Sequence, residues 1–123
     1  MVSEKRKTGD DGELIADGYL RSLGYKVLQR NVSCRYGEID LVAQKNNHLH
    51  FVEIRRRIGD GYGQALESIT SKKISRIRKT AEYLLMQEKK WQDFVPFFSV
   101  VAIDENERGE VNIEFLPDAF SGY

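Results

Sequence analysis

The alternation of apolar and polar positions in the middle of the chain predicts a β-hairpin, around which the other elements are arranged. Its arms, residues 37–44 and 48–57, are rich in branched and aromatic residues. Asn46 and Asn47 between the arms suit a two-residue turn, because asparagine tolerates a positive φ angle. The length of this turn decides which residues of the two arms lie opposite each other.

One face of the predicted hairpin carries charged side chains, and the other face is apolar. With a two-residue turn, Asp40 lies opposite Glu53. Glu38 likewise lies opposite Arg55, on the same face, because side chains alternate along a strand. The other face is apolar apart from His50, and its members are Ile39, Leu41, Ala43, Val52 and Ile54.

The opposed carboxylates of Asp40 and Glu53 allow two interpretations. Directly opposed residues have Cβ atoms roughly 4.5–5.5 Å apart, so the two groups repel each other unless a cation or a proton lies between them. Arg55 could neutralise the cluster by pairing with Glu38, or the register could be slipped by one or two residues. The functional alternative is a divalent-metal site, since Mg²⁺ is usually held by one or two carboxylates together with water and substrate phosphate. A neighbouring cation would then stabilise charge on a phosphodiester.

The remaining apolar pattern predicts two helices and three more strands. The first helix is capped by Asp10 or Asp11 and stops at Gly24. The second helix starts between residues 65 and 71 and ends near residue 90, with its apolar positions at helical spacing. The strands are predicted at residues 25–31, 97–103 and 111–115. The first of them precedes the hairpin through a short connection, which predicts a three-stranded meander.

Length and composition indicate an ordinary single domain spanning residues 1–123, with residues 1–8 frayed. The chain has 123 residues, of which 41% are hydrophobic and 31% charged, enough for a core of its own. No apolar run approaches a membrane span, no signal-peptide core is visible, and the single cysteine excludes an intrachain disulfide. These features predict a cytoplasmic protein that does not bind membranes.

The charges balance over the whole chain but are unevenly distributed. Residues 54–79 carry eight basic and two acidic side chains, whereas residues 80–123 carry three basic and nine acidic ones. The basic segment adjoins the carboxylate hairpin, which favours a polyanion-binding face. The acidic part is typical of a solvated or partner-facing surface. The residues expected to contact nucleic acid are Arg56, Arg57, Lys72, Lys73 and Arg76, with the alternative that those on the helix are only a solvated charged face.

Glu13 and Gln64 are further polar candidates. Glu13 begins the inward face of the first helix, where it either interacts with the helix dipole or points at the hairpin carboxylates. Gln64 and Tyr62 belong to a glycine-rich segment after the hairpin, which is either a plain flexible loop or a substrate contact. Its glycine spacing does not match a phosphate-binding loop.

The order of elements, with aspartate on the second strand and Glu-x-basic on the third, resembles restriction-endonuclease-like proteins and their PD-(D/E)xK nucleases. More closely, the chain resembles the small YraN-type predicted endonucleases, a bacterial family related in fold to archaeal Holliday-junction resolvases. The resemblance covers nearly the whole chain, and the matching segments are residues 12–13, 19–20, 24–25, 30–31, 37–43, 51–54, 73 and 119–120.

The resemblance implies an α/β fold with an αβββαβ core, in which helices flank a mixed sheet that contains the antiparallel meander. It also implies that Asp40 and Glu53 bind Mg²⁺ or Mn²⁺, with Glu13 approaching the same metal from the first helix. Gln64 matches a polar residue of the second helix more weakly. DNA is favoured over RNA as the partner, and the resemblance to resolvases allows a homodimer.

The sequence departs from the family pattern at the motif lysine, where this chain has Arg55. Arginine stays protonated and cannot act as a base, although it can still hold a phosphate and stabilise the transition state. Lys72 or Lys73 could replace the lysine only if the start of the second helix faces the site. The family's late-strand Arg-Phe-Asp also reads Phe97-Phe98-Ser99 here.

The leading hypothesis is therefore a metal-dependent endonuclease acting on DNA, including branched DNA, or on RNA. The alternative is a catalytically degenerate relative that binds nucleic acid without cutting it, because Arg55 replaces the lysine. A third interpretation is a protein–protein interaction module that uses the acidic C-terminal part.

Overall fold

A computed structural model describes residues 4–59 and 63–119 of the chain and shows three helices and five strands in that part. A short 3₁₀ helix, Lys89–Trp91, lies between the last helix and the fourth strand. The predicted contact of Tyr62 with substrate lies outside the described residues. The elements are α1 (Glu4–Ser22), β1 (Lys26–Cys34), β2 (Gly37–Lys45), β3 (His48–Ile58), α2 (Gln64–Glu67), α3 (Ser71–Gln87), β4 (Val95–Glu105) and β5 (Val111–Leu116).

The five strands form one mixed sheet in the order β1-β2-β3-β4-β5. All neighbouring strands are antiparallel except β3 and β4, which are parallel because α2 and α3 carry the chain back across the sheet. The antiparallel meander β1–β3, the helices and the parallel return strand confirm the predicted α/β class. They are consistent with a restriction-endonuclease-like core.

Apolar clusters on both faces of the sheet hold the helices in place. Ala16 and Leu20 of α1 pack with Leu41, Val52 and Val101 on one face. On the other face, the buried side chains of α3 pack with those of β2, β3 and β4, and this cluster includes Ile39, Val42, Phe51, Ile74, Ile77, Ala81 and Leu84. The long buried stretch of β3 follows from this, since a central strand covered on both faces is apolar on both.

The hairpin between β2 and β3 has the predicted turn and register. Asn46 adopts a φ angle of 54°, and Lys45 pairs with His48 on either side of the turn. The ladder continues to the pair Leu41 and Val52, as the two-residue turn requires. The register predicted from the sequence is therefore confirmed over residues 41–45 and 48–52.

The predicted position of Ile39 is wrong. Ile39 packs in the α3-side cluster, whereas Leu41 and Ala43 pack on the α1 side. The backbone ladder ends at Leu41, and beyond it the carboxylate of Asp40 accepts the N–H of Ile54. This side-chain contact takes the place of the next ladder contact to β3, while β2 stays paired with β1 as far as Gly37.

The start of the first helix also differs from the prediction. Helix α1 begins at Glu4, ahead of the expected caps Asp10 and Asp11, and so includes residues 4–8. The added turn contains Glu-Lys-Arg-Lys, all good helix formers, which the capping signals did not outweigh. The helix ends as predicted near Gly24, whose φ angle is 92°.

Gly37 lets α3 approach the sheet closely. A Cβ atom at Gly37 would lie 3.0 Å from Oγ1 of Thr80, so a larger residue would push α3 away from β2. Thr80 is itself fully buried, and its hydroxyl donates to the carbonyl of Arg76 one turn earlier. This contact fixes the depth of α3 over the polar end of the hairpin.

In residues 4–59 and 63–119 we find no helix long and apolar enough to cross a membrane.

Candidate active site

The carboxylates of Asp40 and Glu53 meet at the polar end of the β2–β3 hairpin, under the first turns of α3. They face a pocket of about 170 Å³ that is open to solvent on one side. The pocket is lined by Gly37, Glu38, Asp40, Glu53, Lys73, Arg76 and Ile77. Sheet and helix therefore both contribute charged side chains to one small volume.

Backbone contacts and burial hold the two carboxylates in position. Oδ2 of Asp40 accepts a hydrogen bond from the backbone N–H of Ile54 at 2.8 Å. Glu53 is only 4% exposed, since it lies on the central strand with α3 above it. Both groups are thus held by the sheet before any ligand arrives.

Burial and mutual repulsion favour a proton on this pair. Burial, followed by the charge of Glu53, raises the pKa of Asp40 to about 7. Burial also raises the pKa of Glu53, although the charge of Lys73 and a hydrogen bond to it oppose that rise. Near neutral pH the pair therefore carries less than two negative charges and shares a proton.

Lys73 supplies the cation that faces this pair. Its Nζ lies 3.3 Å from Oε1 of Glu53. Thr70 caps α3 and accepts the backbone N–H of Lys73 on its side-chain oxygen, which places Lys73 in the first turn. The start of the helix faces the site, which was the condition for a helix lysine to replace the motif lysine.

The donor set fits a hard divalent cation of the magnesium type. A bound cation would stabilise the ionised form of these two carboxylates, which repel each other and have raised pKa values. Mg²⁺ usually binds one or two carboxylates and completes its coordination shell with water and phosphate. In the described part of the chain no cluster of three or more His, Cys, Asp or Glu could hold a metal. Asp40 and Glu53, which line the same pocket, are the residues that would hold the ion, with water and phosphate as its other ligands.

Glu13 is not brought to this pocket. Its Oε2 accepts a hydrogen bond from Nδ2 of Asn31 at 2.9 Å, which ties α1 to β1. Asn31 has a φ angle of 52°, a conformation that asparagine tolerates better than most residues. The metal-binding role that the resemblance implied for Glu13 has no support in this arrangement, because its carboxylate is used to join two elements.

Arg55 lies beside the pocket but is held by a neighbouring helix. Its Nε donates to Oγ of Ser68 at 2.9 Å, and its Nη2 lies 3.4 Å from the Ser68 carbonyl oxygen. The ion pair with the carboxylates is made by Lys73, so the predicted alternative of an Arg55–Glu38 pair is not what the structure shows. The charge of Arg55 still lowers the pKa of Glu53.

The other basic candidates divide between the two faces of the sheet. Arg76 lines the pocket, and Lys72 is exposed at the start of α3. Arg56 contacts the α1 side, where its Nη2 pairs with Oε2 of Glu105 at 3.1 Å. Arg57 is exposed at the end of β3. The five basic side chains therefore do not form one continuous face.

Gln64 begins α2, with its side chain against Gly59, and does not line the pocket.

Two residues that the sequence analysis did not identify hold α2 in place. Asp104 is buried and accepts the N–H groups of Gly63 (3.3 Å) and Ala65 (2.9 Å), and Ser68 at the other end of α2 holds Arg55. The sequence signal for Asp104 is an acidic residue directly after the predicted buried strand 97–103.

Comparison with known proteins places the chain in a family of sequences. Residues 12–103 match the family described as uncharacterised protein family UPF0102. A UPF0102 protein of Clostridium tetani is 34% identical over 120 residues, which is 98% of each chain. A UPF0102 protein of Caldicellulosiruptor saccharolyticus is 35% identical over 94% of this chain and 98% of its own. One from Hahella chejuensis is 37% identical over 92% of this chain and 89% of its own.

Proposed function

The chain belongs to the UPF0102 family, the YraN family that its motifs resemble, and we propose that it is a metal-dependent nuclease. It cleaves phosphodiester bonds in DNA, including branched DNA, or in RNA. The observation that carries the proposal is the buried Asp40–Glu53 pair facing Lys73 in an open pocket. If Lys73 and Glu53 formed only a structural ion pair, nothing would explain why the carboxylate of Asp40 lies beside that of Glu53.

Asp40 and Glu53 would hold the metal ion, Mg²⁺ or Mn²⁺. Bound there, the ion would supply polarisation of the phosphate and a lowered pKa for a water molecule. The pair would give up its shared proton to such an ion, because a divalent cation favours the ionised form of a carboxyl group. The hydrogen bond from Ile54 N–H keeps the Asp40 carboxylate oriented during this change.

Lys73 performs the role that the family pattern assigns to the motif lysine. Its ammonium group lies 3.3 Å from the Glu53 carboxylate and is half-exposed, so a substrate phosphate can reach it from the pocket opening. In that position it stabilises the negative charge that develops on the phosphate oxygens. Arg76, on the next turn of α3, is placed to hold a neighbouring phosphate.

A cleavage assay with purified protein tests this proposal. Labelled duplex, branched and single-stranded DNA and RNA are incubated with Mg²⁺ or Mn²⁺, and product is scored on denaturing gels. Asp40→Asn should lower the cleavage rate at least about 100-fold, on the scale of losing one strong electrostatic contact in a transition state. Glu114→Gln, which removes an exposed carboxylate from β5, should cleave at the wild-type rate. Equal cleavage by wild type and Asp40→Asn would refute the assignment.

Lys73 and Lys72 provide a second, internal comparison on the same helix. Lys73→Met should reduce kcat with little change in binding. Lys72→Met should weaken binding and leave the rate at saturating substrate unchanged, because its side chain is exposed away from the carboxylates. Similar losses in both variants would show that Lys73 acts only as a general positive charge.

One observation favours a second candidate, a protein that binds nucleic acid without cutting it. Arg55 stands at the motif lysine, and its guanidinium is held by Ser68. Under this alternative, wild type binds nucleic acid with salt-sensitive affinity and shows no turnover in either metal. Cleavage that appears only in Arg55→Lys would establish that the arginine had removed the activity and that Lys73 does not replace it.

A further inference from the structure

We propose that a tyrosine rim beside the pocket, formed by Arg35, Tyr36 and Tyr83, stacks an unpaired base of the substrate. This inference deepens the proposed function, on which it rests, by naming the substrate class. The preferred substrate is then DNA with an unpaired strand next to the scissile phosphate, such as a single strand, a flap or a branch. Continuous duplex is disfavoured.

The tyrosine rim is an exposed aromatic and cationic surface. Tyr36 lies in the turn between β1 and β2 and is 39% exposed. Its ring centroid lies 5.6 Å from that of Tyr83 on α3, with the ring planes at 63°. Cζ of Arg35 lies 4.9 Å from the Tyr36 centroid, and its Nη2 donates to the Tyr36 hydroxyl at 2.8 Å. The two rings are tilted and not stacked on each other, and the exposure of Tyr36 leaves part of its side chain accessible to a ligand.

The tyrosine rim is directly continuous with the candidate active site. Tyr36 precedes Gly37, which lines the pocket. Tyr83 follows Arg76, also a lining residue, by two turns on the same side of α3, and Thr80 between them packs against Gly37. Two turns of helix rise about 10 Å, roughly the span of three stacked nucleotides. A strand with its phosphate in the pocket therefore reaches the tyrosine rim with a nearby base.

The chemistry of the tyrosine rim selects bases that are free to stack. Aromatic rings and arginine guanidinium groups bind the faces of unpaired bases, and each such contact contributes substantially to affinity. Bases within a duplex already have both faces covered by their neighbours, so they would have to be unstacked first. The Tyr36 hydroxyl also keeps Arg35 beside the ring, where its charge can meet the adjoining phosphate.

Binding without metal tests the tyrosine rim separately from catalysis. The probe is a single-stranded oligodeoxynucleotide carrying 2-aminopurine, with the matching duplex as a second probe, both titrated in EDTA. Wild type should quench the fluorescence of the single strand on binding and should bind the duplex more weakly. Tyr36→Leu should lower single-strand affinity about tenfold and abolish the quench, because leucine fills space but has no aromatic face. Tyr36→Phe keeps the ring and should retain the quench, and its affinity should fall no further than that of Arg35→Gln, because it loses only the hydroxyl that positions Arg35.

Matched controls separate stacking from charge and from folding. Arg35→Gln should weaken single-strand binding several-fold, whereas Arg108→Gln in the exposed β4–β5 turn should not. Thermal denaturation of each variant confirms that the folded protein is being titrated. Equal losses on single strand and duplex, or no loss in Tyr36→Leu, would overturn the inference. If the tyrosine rim behaves as expected and no metal supports cleavage, the inference stands as a binding site and the proposed nuclease fails.

Discussion

At the scale of single residues, the burial of Asp40 against Glu53 makes the metal-free protein sensitive to pH. The pKa of Asp40 rises to about 7 from 3.8, first through burial and then through Glu53. A carboxyl group whose pKa is raised on folding favours the folded state below its unfolded pKa, and that contribution is lost as the pH rises through the folded value. The folded protein should therefore lose stability between about pH 4 and pH 7.

Asp40→Asn should remove this dependence. In EDTA at pH 8, the variant should be more stable than wild type by about 2 kcal/mol, because asparagine is neutral and can still accept from Ile54 N–H. Urea unfolding followed by circular dichroism at several pH values measures the difference. Glu114→Gln serves as the control for removing one negative charge, and a pH slope unchanged in Asp40→Asn would contradict the explanation.

The buried side chain of His50 has the opposite effect on the pH dependence of stability, and its effect falls below neutral pH. Its side chain is 2% exposed, its Nδ1 lies 2.8 Å from Oγ of Ser99, and aromatic rings pack against it. Burial, followed by the charge of His48, lowers the pKa of His50 to about 4. A histidine whose pKa is depressed on folding contributes stability above its unfolded value, and this is lost as the pH falls from about 6.5 towards 4. Acid unfolding should therefore begin with this group.

Nuclear magnetic resonance can follow His50 directly. Its ring proton shifts should stay constant from pH 8 to about pH 5 and should not titrate at the ordinary value for histidine. The chain has two histidines, and the His48→Gln variant assigns the remaining signals to His50. A midpoint between pH 6 and 7 for His50 would show that the ring is hydrated.

At the scale of elements, α2 connects β4 to the candidate active site. Asp104 on β4 accepts two backbone N–H groups at the start of α2, and Ser68 at its end holds Arg55. A four-residue helix has too few internal hydrogen bonds to persist alone, so these end contacts maintain it. The position of Arg55 therefore depends on an aspartate on a different strand.

Asp104→Ala should destabilise the protein by about 1–3 kcal/mol, because it leaves two N–H groups without their acceptor. Asp104→Asn keeps one acceptor oxygen and should lose less. Thermal denaturation gives the free-energy change, and amide hydrogen exchange at Ala65 should speed up in Asp104→Ala. Unchanged protection at Ala65 would mean that α2 is held by other contacts.

The elements show where sequence reasoning succeeds and where it stops. The hairpin and the proximity of Asp40 and Glu53 were predictable, because a two-residue asparagine turn and a period of two determine register locally. The division of this segment into α2 and α3 was not predictable, because Thr70 caps a new helix within a stretch whose pattern predicts one helix. Lys73 could be named only as a candidate, since its contact with Glu53 depends on the placement of α3. The partner of Arg55 depends on contacts between elements that periodicity does not describe.

At the scale of the whole molecule, a zero net charge conceals a basic segment beside acidic ones. Two of its basic residues, Lys72 and Lys73, lie at the start of α3, while Arg56 is paired with Glu105 on the other face. The effective binding surface is therefore smaller than the sequence count of basic residues suggests. Binding should depend on salt, but with a modest slope.

The dependence of DNA affinity on salt concentration gives the number of phosphate groups that the protein contacts. In plots of log affinity for duplex DNA against log salt concentration, Lys72→Gln should reduce the slope by about 0.9 if it neutralises one phosphate. Lys89→Gln, in the 3₁₀ helix at the far end of α3, should leave the slope unchanged. Fluorescence anisotropy at several salt concentrations measures both, and equal slopes in wild type and Lys72→Gln would exclude Lys72 from the interface.

The parallel pairing of β3 with β4 has a consequence for the order of folding. Every pair in that ladder joins residues 47 positions apart, whereas the β2–β3 hairpin closes over two residues. Local contacts form faster than distant ones, so the hairpin assembles early and brings Asp40 and Glu53 together before α3 delivers Lys73. Charge repulsion then raises the kinetic barrier, and Asp40→Asn should refold faster than wild type in stopped-flow experiments in EDTA at pH 8. We therefore expect Asp40 and Glu53, the residues proposed to bind the metal, to lower the folding rate of the protein.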